Sequence, residues 1–244
     1  MGSLLIEHIA QLVTCDGNDR ILKDVDLYAE NGVIRAIGPN LGKQADVVLS
    51  GRHMLCYPGL VNTHHHLYQQ FSRNLPQVQR MELFDWLKTL YEIWKNLDED
   101  VIRLSSQTGM GELMKYGCTT CFDHHYVFPA GSGDLIGAQM AAADALGMRM
   151  VSSRGSMDLS VKDGGLPPDS VVQTVDEIMH DSMEVIEKYH DPSFGSMHQV
   201  ALAPCSPFSV SAELLRQSAI LARQYHVRLH THLCETKDEE NYML

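Results

Sequence analysis

From residue 57 onward the chain repeats one pattern, and that repeat limits its fold more than any other feature. Short runs at 59–62, 118–123, 148–153, 200–204 and 227–233 are apolar on both faces, as strands buried in a parallel sheet must be. Longer stretches between them carry helical spacing: 81–97, with Leu83, Phe84, Leu87, Leu90, Tyr91 and Trp94 on one stripe, then 101–116, 134–146, 176–189 and 212–225. Gly147 stops the third of these, and Thr174-Val-Asp-Glu177 opens the fourth with capping-box spacing. Alternation of this kind predicts a parallel sheet with helical crossovers, either doubly wound or a (β/α)8 barrel of the TIM type. No Gly-x-Gly-x-x-Gly or Gly-x-x-x-x-Gly-Lys loop follows a strand, so the phosphate-cradling open sheets lose support and the barrel gains.

Residues 1–56 read differently. Short β-rich pieces at 5–13, 25–29, 32–37 and 46–49 are separated by turn clusters such as Asp16-Gly-Asn-Asp19 and Pro39-Asn-Leu-Gly42. The expected organisation is a small N-terminal β-sandwich unit over 1–56 and a barrel over 57–244. The barrel reads as incomplete, because 57–244 holds about five strand–helix units where closure needs eight. The expectation is a piece of a longer protein, or a barrel completed by another chain. The irregular segment 163–170, with two glycines and two prolines, is either a substrate loop or an ordinary surface connection.

Bulk properties exclude some functions. With 31 acidic against 19 basic residues, a net charge of −12 and no Lys/Arg-rich run, nucleic acid and anionic membrane are excluded as partners. A small neutral or cationic molecule fits better. No apolar run is long enough to span a bilayer, and Glu7, His8 and Gln11 interrupt what a signal peptide would need, so the expected compartment is the cytoplasm. Six scattered cysteines agree with reduced thiols. Cys118 and Cys121 have redox spacing but lie in a strand-like segment, where two buried strand cysteines is the simpler reading.

The chemistry concentrates in histidines. In His64-His65-His66, strand alternation sends His64 and His66 to one side and His65 to the other, so that His65 is expected to pack behind the barrel wall. A His-x-His alone is weak in a chain with 13 histidines. A second cluster sharpens it: His230 and His232 also share a face, and Glu235 follows where strand becomes loop. In a parallel barrel both clusters fall at the C-terminal strand ends, where this fold builds its active sites. A metal ion on His64, His66 and His232 would lower the pKa of a bound water to about 7, and Glu235 is placed to carry its proton. Imidazole suits zinc. His230 is left undecided, and His124 and His125 read as loop or pocket-lining residues. His8, His53, His180, His190, His198 and His226 read as surface or helix-end residues.

These residues resemble a known family. "PGLVNTHHHL" at 58–67 is similar to the first-strand Pro-Gly-φ-Val-Asn-x-His-x-His signature of the amidohydrolase superfamily, and "LHTHLCET" at 229–236 to the fifth-strand His-x-x-Glu of its aminohydrolase (deaminase) branch. The small β unit ahead of the barrel, and "GCTT" with Asp123 at the second strand, match as well. Within the branch, "NTHHHLYQQFSR", "FDHHYVFP", "SRGSMDLS", "GGLPPDSV" and "APCSPFSVS" resemble the 8-oxoguanine deaminase and hydroxyatrazine aminohydrolase group. Related nucleoside-type deaminases tend to carry His where Cys205 stands, so that position favours a bare base or a triazine.

The resemblance implies that His64, His66 and His232 bind one divalent metal ion, zinc or else iron, and that Glu235 is the catalytic proton shuttle. It implies Gln70, Trp86, Arg154 and Cys205 as substrate-pocket residues, although Trp86 also fits the core stripe of its helix and Arg154 an ordinary salt bridge. A sixth-strand His and an eighth-strand Asp would lie beyond Leu244, so a protein ending there would be inactive and poorly stable. The implied reaction is hydrolytic deamination of an amino-substituted nitrogen heterocycle, first a purine base such as 8-oxoguanine, alternatively a triazine or a pterin, by a homo-oligomer. The competing reading from another class is a non-catalytic metal-binding half-barrel that pairs with a partner chain.

Overall fold

The computed structural model describes residues 2–244. These divide into two units, Met1–Gly59 and Leu60–Leu244. In the first, the β-rich pieces become β1 (Ser3–Ile9), β2 (Gln11–Val13), β3 (Ile21–Leu22), β4 (Val25–Glu30), β5 (Val33–Gly38), β6 (Val47–Ser50) and β7 (Leu55–Cys56). They form a four-stranded sheet in the order β5-β4-β1-β6 and a three-stranded sheet in the order β3-β2-β7. The run 5–13, expected as one strand, is two. His8 has a left-handed φ of 53°, the register to β4 shifts between Ile6 and Ile9, and the chain passes from one sheet to the other at Ala10. Ile9, Leu12, Val25 and Leu27 form the core there. Gly51 must be glycine, since a Cβ would lie 2.9 Å from the Ile9 backbone.

In the second unit the strand–helix alternation is realised: β8 (Leu60–Asn62), α1 (Leu83–Trp94), α2 (Glu99–Lys115), β9 (Cys118–Asp123), α3 (Leu135–Leu146), β10 (Arg149–Ser156), α4 (Val175–Tyr189), β11 (His198–Pro204), α5 (Ala212–Gln224), β12 (Arg228–Leu229) and α6 (Lys237–Met243). The five strands lie in chain order, every neighbouring pair parallel, with a helical crossover in each of the four connections. This is the parallel half-barrel that the alternation predicts. Four of its helices, α2 to α5, begin at side-chain caps, Asp98, Asp134, Thr174 and Ser211, and α4 has the full Thr174–Glu177 capping box. Gly147 ends α3 at φ 70°.

The sheet and its helices bury Met110, Cys121, Met140, Met150, Val200 and Leu202 together. A second cluster gathers Tyr68, Leu90, Tyr91, Trp94, Tyr126 and Phe208 near the C-terminal strand ends. Cys118 and Cys121 are buried, and all six cysteines are free thiols. No helix among the described residues is long and apolar enough to cross a membrane. The last strand is shorter than 227–233, because after Leu229 the ladder to β11 reduces to single hydrogen bonds, His230 N–H to the Leu202 carbonyl (2.9 Å) and His232 N–H to the Cys205 carbonyl (3.0 Å).

Two buried polar residues stand apart from the histidine cluster, His125 just after β9 and Arg154 within β10. Arg154 is only 1% exposed and turns toward the helix layer, where its guanidinium pairs with Asp181 of α4, donates to Gln173 Oε1 (2.6 Å) and lies 3.9 Å from the Phe128 ring centre. His125 is fully buried against Phe128 and Tyr68, and neither ring nitrogen has a hydrogen-bond partner among the described residues. Burial holds its pKa down at about 3, against an ordinary 6.5.

Two predictions follow from these groups. Because the folded pKa of His125 is depressed, its contribution is present above about pH 6.5 and is lost as pH falls toward 3. His125→Phe should therefore raise stability at pH 7 by about 1 kcal/mol and lessen the loss on acidification, read from urea denaturation across that range. Asp181→Ala leaves Arg154 buried and unpaired and should cost about 3 kcal/mol. Arg154→Met, which removes the buried charge itself, should cost less; the reverse order in denaturation free energies would contradict this placement.

Candidate metal centre

Beyond Asn62 the chain leaves β8 and enters the segment that carries the three adjacent histidines. Side-chain and backbone bonds pin it: Asn62 Oδ1 accepts the His64 amide (3.1 Å), the His65 carbonyl accepts the His124 amide (2.7 Å), and Asp123 Oδ1 accepts the Leu67 amide (2.5 Å). Asp123 is fully buried, and its second oxygen accepts from Gln139 of α3 (2.6 Å). Burial pushes its carboxyl up to about 7 while these hydrogen bonds pull the other way.

The segment delivers His64 and His66 to a cluster completed by His232, their donor atoms all within 4.8 Å of one another. Two of the tautomers are fixed by carbonyl partners, which can only accept. His66 donates from Nδ1 to the His124 carbonyl (2.7 Å), and His232 donates from Nδ1 to the Cys205 carbonyl (2.8 Å). Their Nε2 atoms are then bare lone pairs, and they face each other 3.2 Å apart. Two lone pairs at that distance need a cation between them. A shared proton is disfavoured, since burial drives the His66 pKa down to about 3. A divalent metal ion fits: the imidazoles are neutral, as ligands must be, and their second nitrogens are already hydrogen-bonded to backbone.

Two further imidazoles adjoin these. His124 is fully buried, stacks on His232 with ring centres 4.3 Å apart and planes 8° apart, and has no hydrogen-bond partner for either ring nitrogen among the described residues. His230 lies with its Nε2 2.9 Å from His64 Nδ1. His64, His124 and His230 form a second set with donors within 4.8 Å. Sequence reasoning left both residues open, yet the alternation that separates His64 and His66 from His65 also applies after β9. Cys121 and Asp123 face the helices, whereas Phe122 and His124 face the histidine cluster. His65 is half-buried, with its Nδ1 unpartnered.

Next to the cluster is a cavity lined by His66, His232, Glu235, Trp86, Cys205 and Tyr126, among others. Glu235 belongs to the loop before α6. That loop is held by Glu239, 2% exposed, whose carboxylate accepts the amides of Cys234 (3.0 Å) and Glu235 (2.7 Å). Partial burial, and then the charge of Glu239, raise the Glu235 pKa. The Cys205 thiol is pushed up to about 12 by burial and stays neutral.

Of the four expected pocket residues, Trp86 and Cys205 line this cavity, and two do not. Gln70 turns away, accepts from Arg73 (3.1 Å) and lies against Gly109 of α2; Gln69 takes the cavity position. The cause is the 3-10 helix at Leu67–Ser72, which rotates each successive side chain by about 120° and is not visible in a hydrophobic pattern. Arg154 lies in the helix layer, because its place in β10 faces outward.

The comparisons with known proteins agree with the fold. A profile of the amidohydrolase family matches residues 55–244. The 8-oxoguanine deaminase of Pseudomonas aeruginosa is 49% identical over 195 residues, which are 80% of this chain and 43% of that protein. The hydroxydechloroatrazine ethylaminohydrolase of Pseudomonas sp. strain ADP is 37% identical over 248 residues, covering 96% of this chain and 52% of that one. Among solved structures, the atrazine chlorohydrolase from Arthrobacter aurescens TC1 complexed with zinc superposes with a TM-score of 0.92 at 32% identity, over 98% of this chain and 55% of that one. The chain spans about half the length of the curated relatives it matches. With the family profile covering the whole strand–helix unit, the chain belongs to the amidohydrolase family.

Proposed function

We propose that the protein is a metal-dependent hydrolytic deaminase of an amino-substituted nitrogen heterocycle, with a purine base such as 8-oxoguanine as the first candidate. The observation that carries this reading is that the Glu235 carboxyl and the His66 and His232 imidazoles open onto one cavity walled by Trp86 and Tyr126. A flat ring stacked on such a wall would present its amine-bearing carbon to the histidine cluster.

In this reading His64, His66 and His232 hold one divalent ion, zinc in the first place. When bound, the ion supplies Lewis acidity and makes water a nucleophile near neutral pH. Glu235 does the proton work. Its raised proton affinity lets it hand a proton to the ring nitrogen beside the attacked carbon, then carry the water proton to the departing amine. A C–O bond forms, the C–N bond breaks, and ammonia leaves. Cys205, a neutral thiol, shapes the wall and does not act as a nucleophile. The 49% identity to an 8-oxoguanine deaminase favours the purine. The triazine reading is second, favoured by the match to hydroxydechloroatrazine ethylaminohydrolase along nearly the whole chain.

Two measurements test this. Zinc content by mass spectrometry and affinity by chelator competition should give one ion per chain. His66→Asn and His232→Asn should weaken binding at least about tenfold, whereas His65→Asn leaves it unchanged; zinc loss in the latter would show that the wrong histidines have been chosen. Ammonia release by the full-length gene product, screened across aminopurines, triazines and pterins, should be greatest with 8-oxoguanine. Glu235→Gln should lower kcat by about 10²- to 10⁴-fold with zinc retained. A variant with full activity would remove Glu235 from the proton path.

A further inference from the structure

We infer that His230 is a positioning residue for the metal centre: its Nε2 accepts a hydrogen bond from the Nδ1–H of His64 and so aims the other nitrogen of His64 at the ion. This inference rests on the metal reading above and deepens it. His66 and His232 each donate a hydrogen bond from Nδ1–H to a backbone carbonyl, at 2.7 and 2.8 Å. His64 is the remaining ligand, and among the described residues no carbonyl takes that part. In its place stands the His230 ring, with Nε2 at 2.9 Å from His64 Nδ1.

The His230 ring is itself fixed from two sides. Its backbone amide donates to the Leu202 carbonyl (2.9 Å), and its face packs on Phe122 with ring centres 4.5 Å apart. The geometry also explains why His230 falls with His64 and His124 in a second convergent set without being a ligand. An imidazole bonded through Nε2 to a ligand's Nδ1 belongs behind that ligand, where it sets its tautomer and raises its basicity.

The test uses zinc binding by the unaltered chain and three variants, so it does not depend on turnover. H230F removes the acceptor and should weaken zinc binding about 10- to 100-fold at one ion per chain. H230N, polar but too short to reach, should do the same. H230Q places an amide oxygen near the former Nε2 position and should restore affinity to within a few-fold of the original. A merely structural role would not produce that rescue. Long-range proton–nitrogen NMR of the zinc-loaded chain should show His64 protonated at Nδ1. Three outcomes overturn the inference alone: wild-type affinity in H230F and H230N, a His64 protonated at Nε2, or two zinc ions per chain falling to one in H230F, which would make His230 a ligand. A chain that takes up no zinc, or an H64N control that binds as tightly as the parent, overturns the metal reading together with it.

Discussion

The arrangement of the site depends on one repeated hydrogen bond, an imidazole N–H given to the backbone of the neighbouring strand. Parallel register sets these pairs. Leu202 stands opposite Leu229, so three residues further on Cys205 stands opposite His232, and the Cys205 carbonyl accepts a hydrogen bond from the Nδ1–H of His232. At the other edge Asn62 stands opposite Cys121, which carries His66 to the His124 carbonyl beyond the strand ends. The sheet thereby decides which nitrogen of each ring is bare, and a slip of one residue would turn these histidines to the other face.

The polar residues that the helix layer absorbs hold this edge of the sheet in place. Asp123 ties the segment after β8 to α3 through Leu67 and Gln139, and Arg154 ties β10 to α4 through Asp181. Both are buried ionisable groups, and both are costly unless their partners stay where they are. They hold neighbouring strand ends and helices in fixed relation, so that the segments carrying His64, His66 and His232 converge. The loop before α6 is secured in the same way, by the buried Glu239 carboxylate on the amides of Cys234 and Glu235.

Much of this was legible in advance. Hydrophobic period places all five strands and the five long helices, and capping residues mark where helices start: Thr174 with Glu177 is read directly from spacing and is present as bonds. Alternation along the segment after β8 separates His65 from its two neighbours. The same rule applied after β9 picks out His124. Gln70 and Arg154 show its limit, because nearness to a strand end does not say which way a side chain turns when the backbone enters a 3-10 helix or when the residue sits on the outward-facing set of its strand.

What the sequence by itself determined is periodic and local: the parallel strand–helix order, the caps, the free cysteines, and the candidate residues His64, His66, His232 and Glu235. What only the tertiary structure decided is which atoms meet. The 2.9 Å contact between His64 and His230 joins residues 166 positions apart. The Cys205 carbonyl behind His232 and the exchange of Gln70 for Gln69 at the cavity are of the same kind. Such contacts depend on register and on the local backbone turn, quantities that residue type and spacing do not encode, because a shift of one position or about 120° exchanges one side chain for its neighbour while leaving the hydrophobic pattern intact.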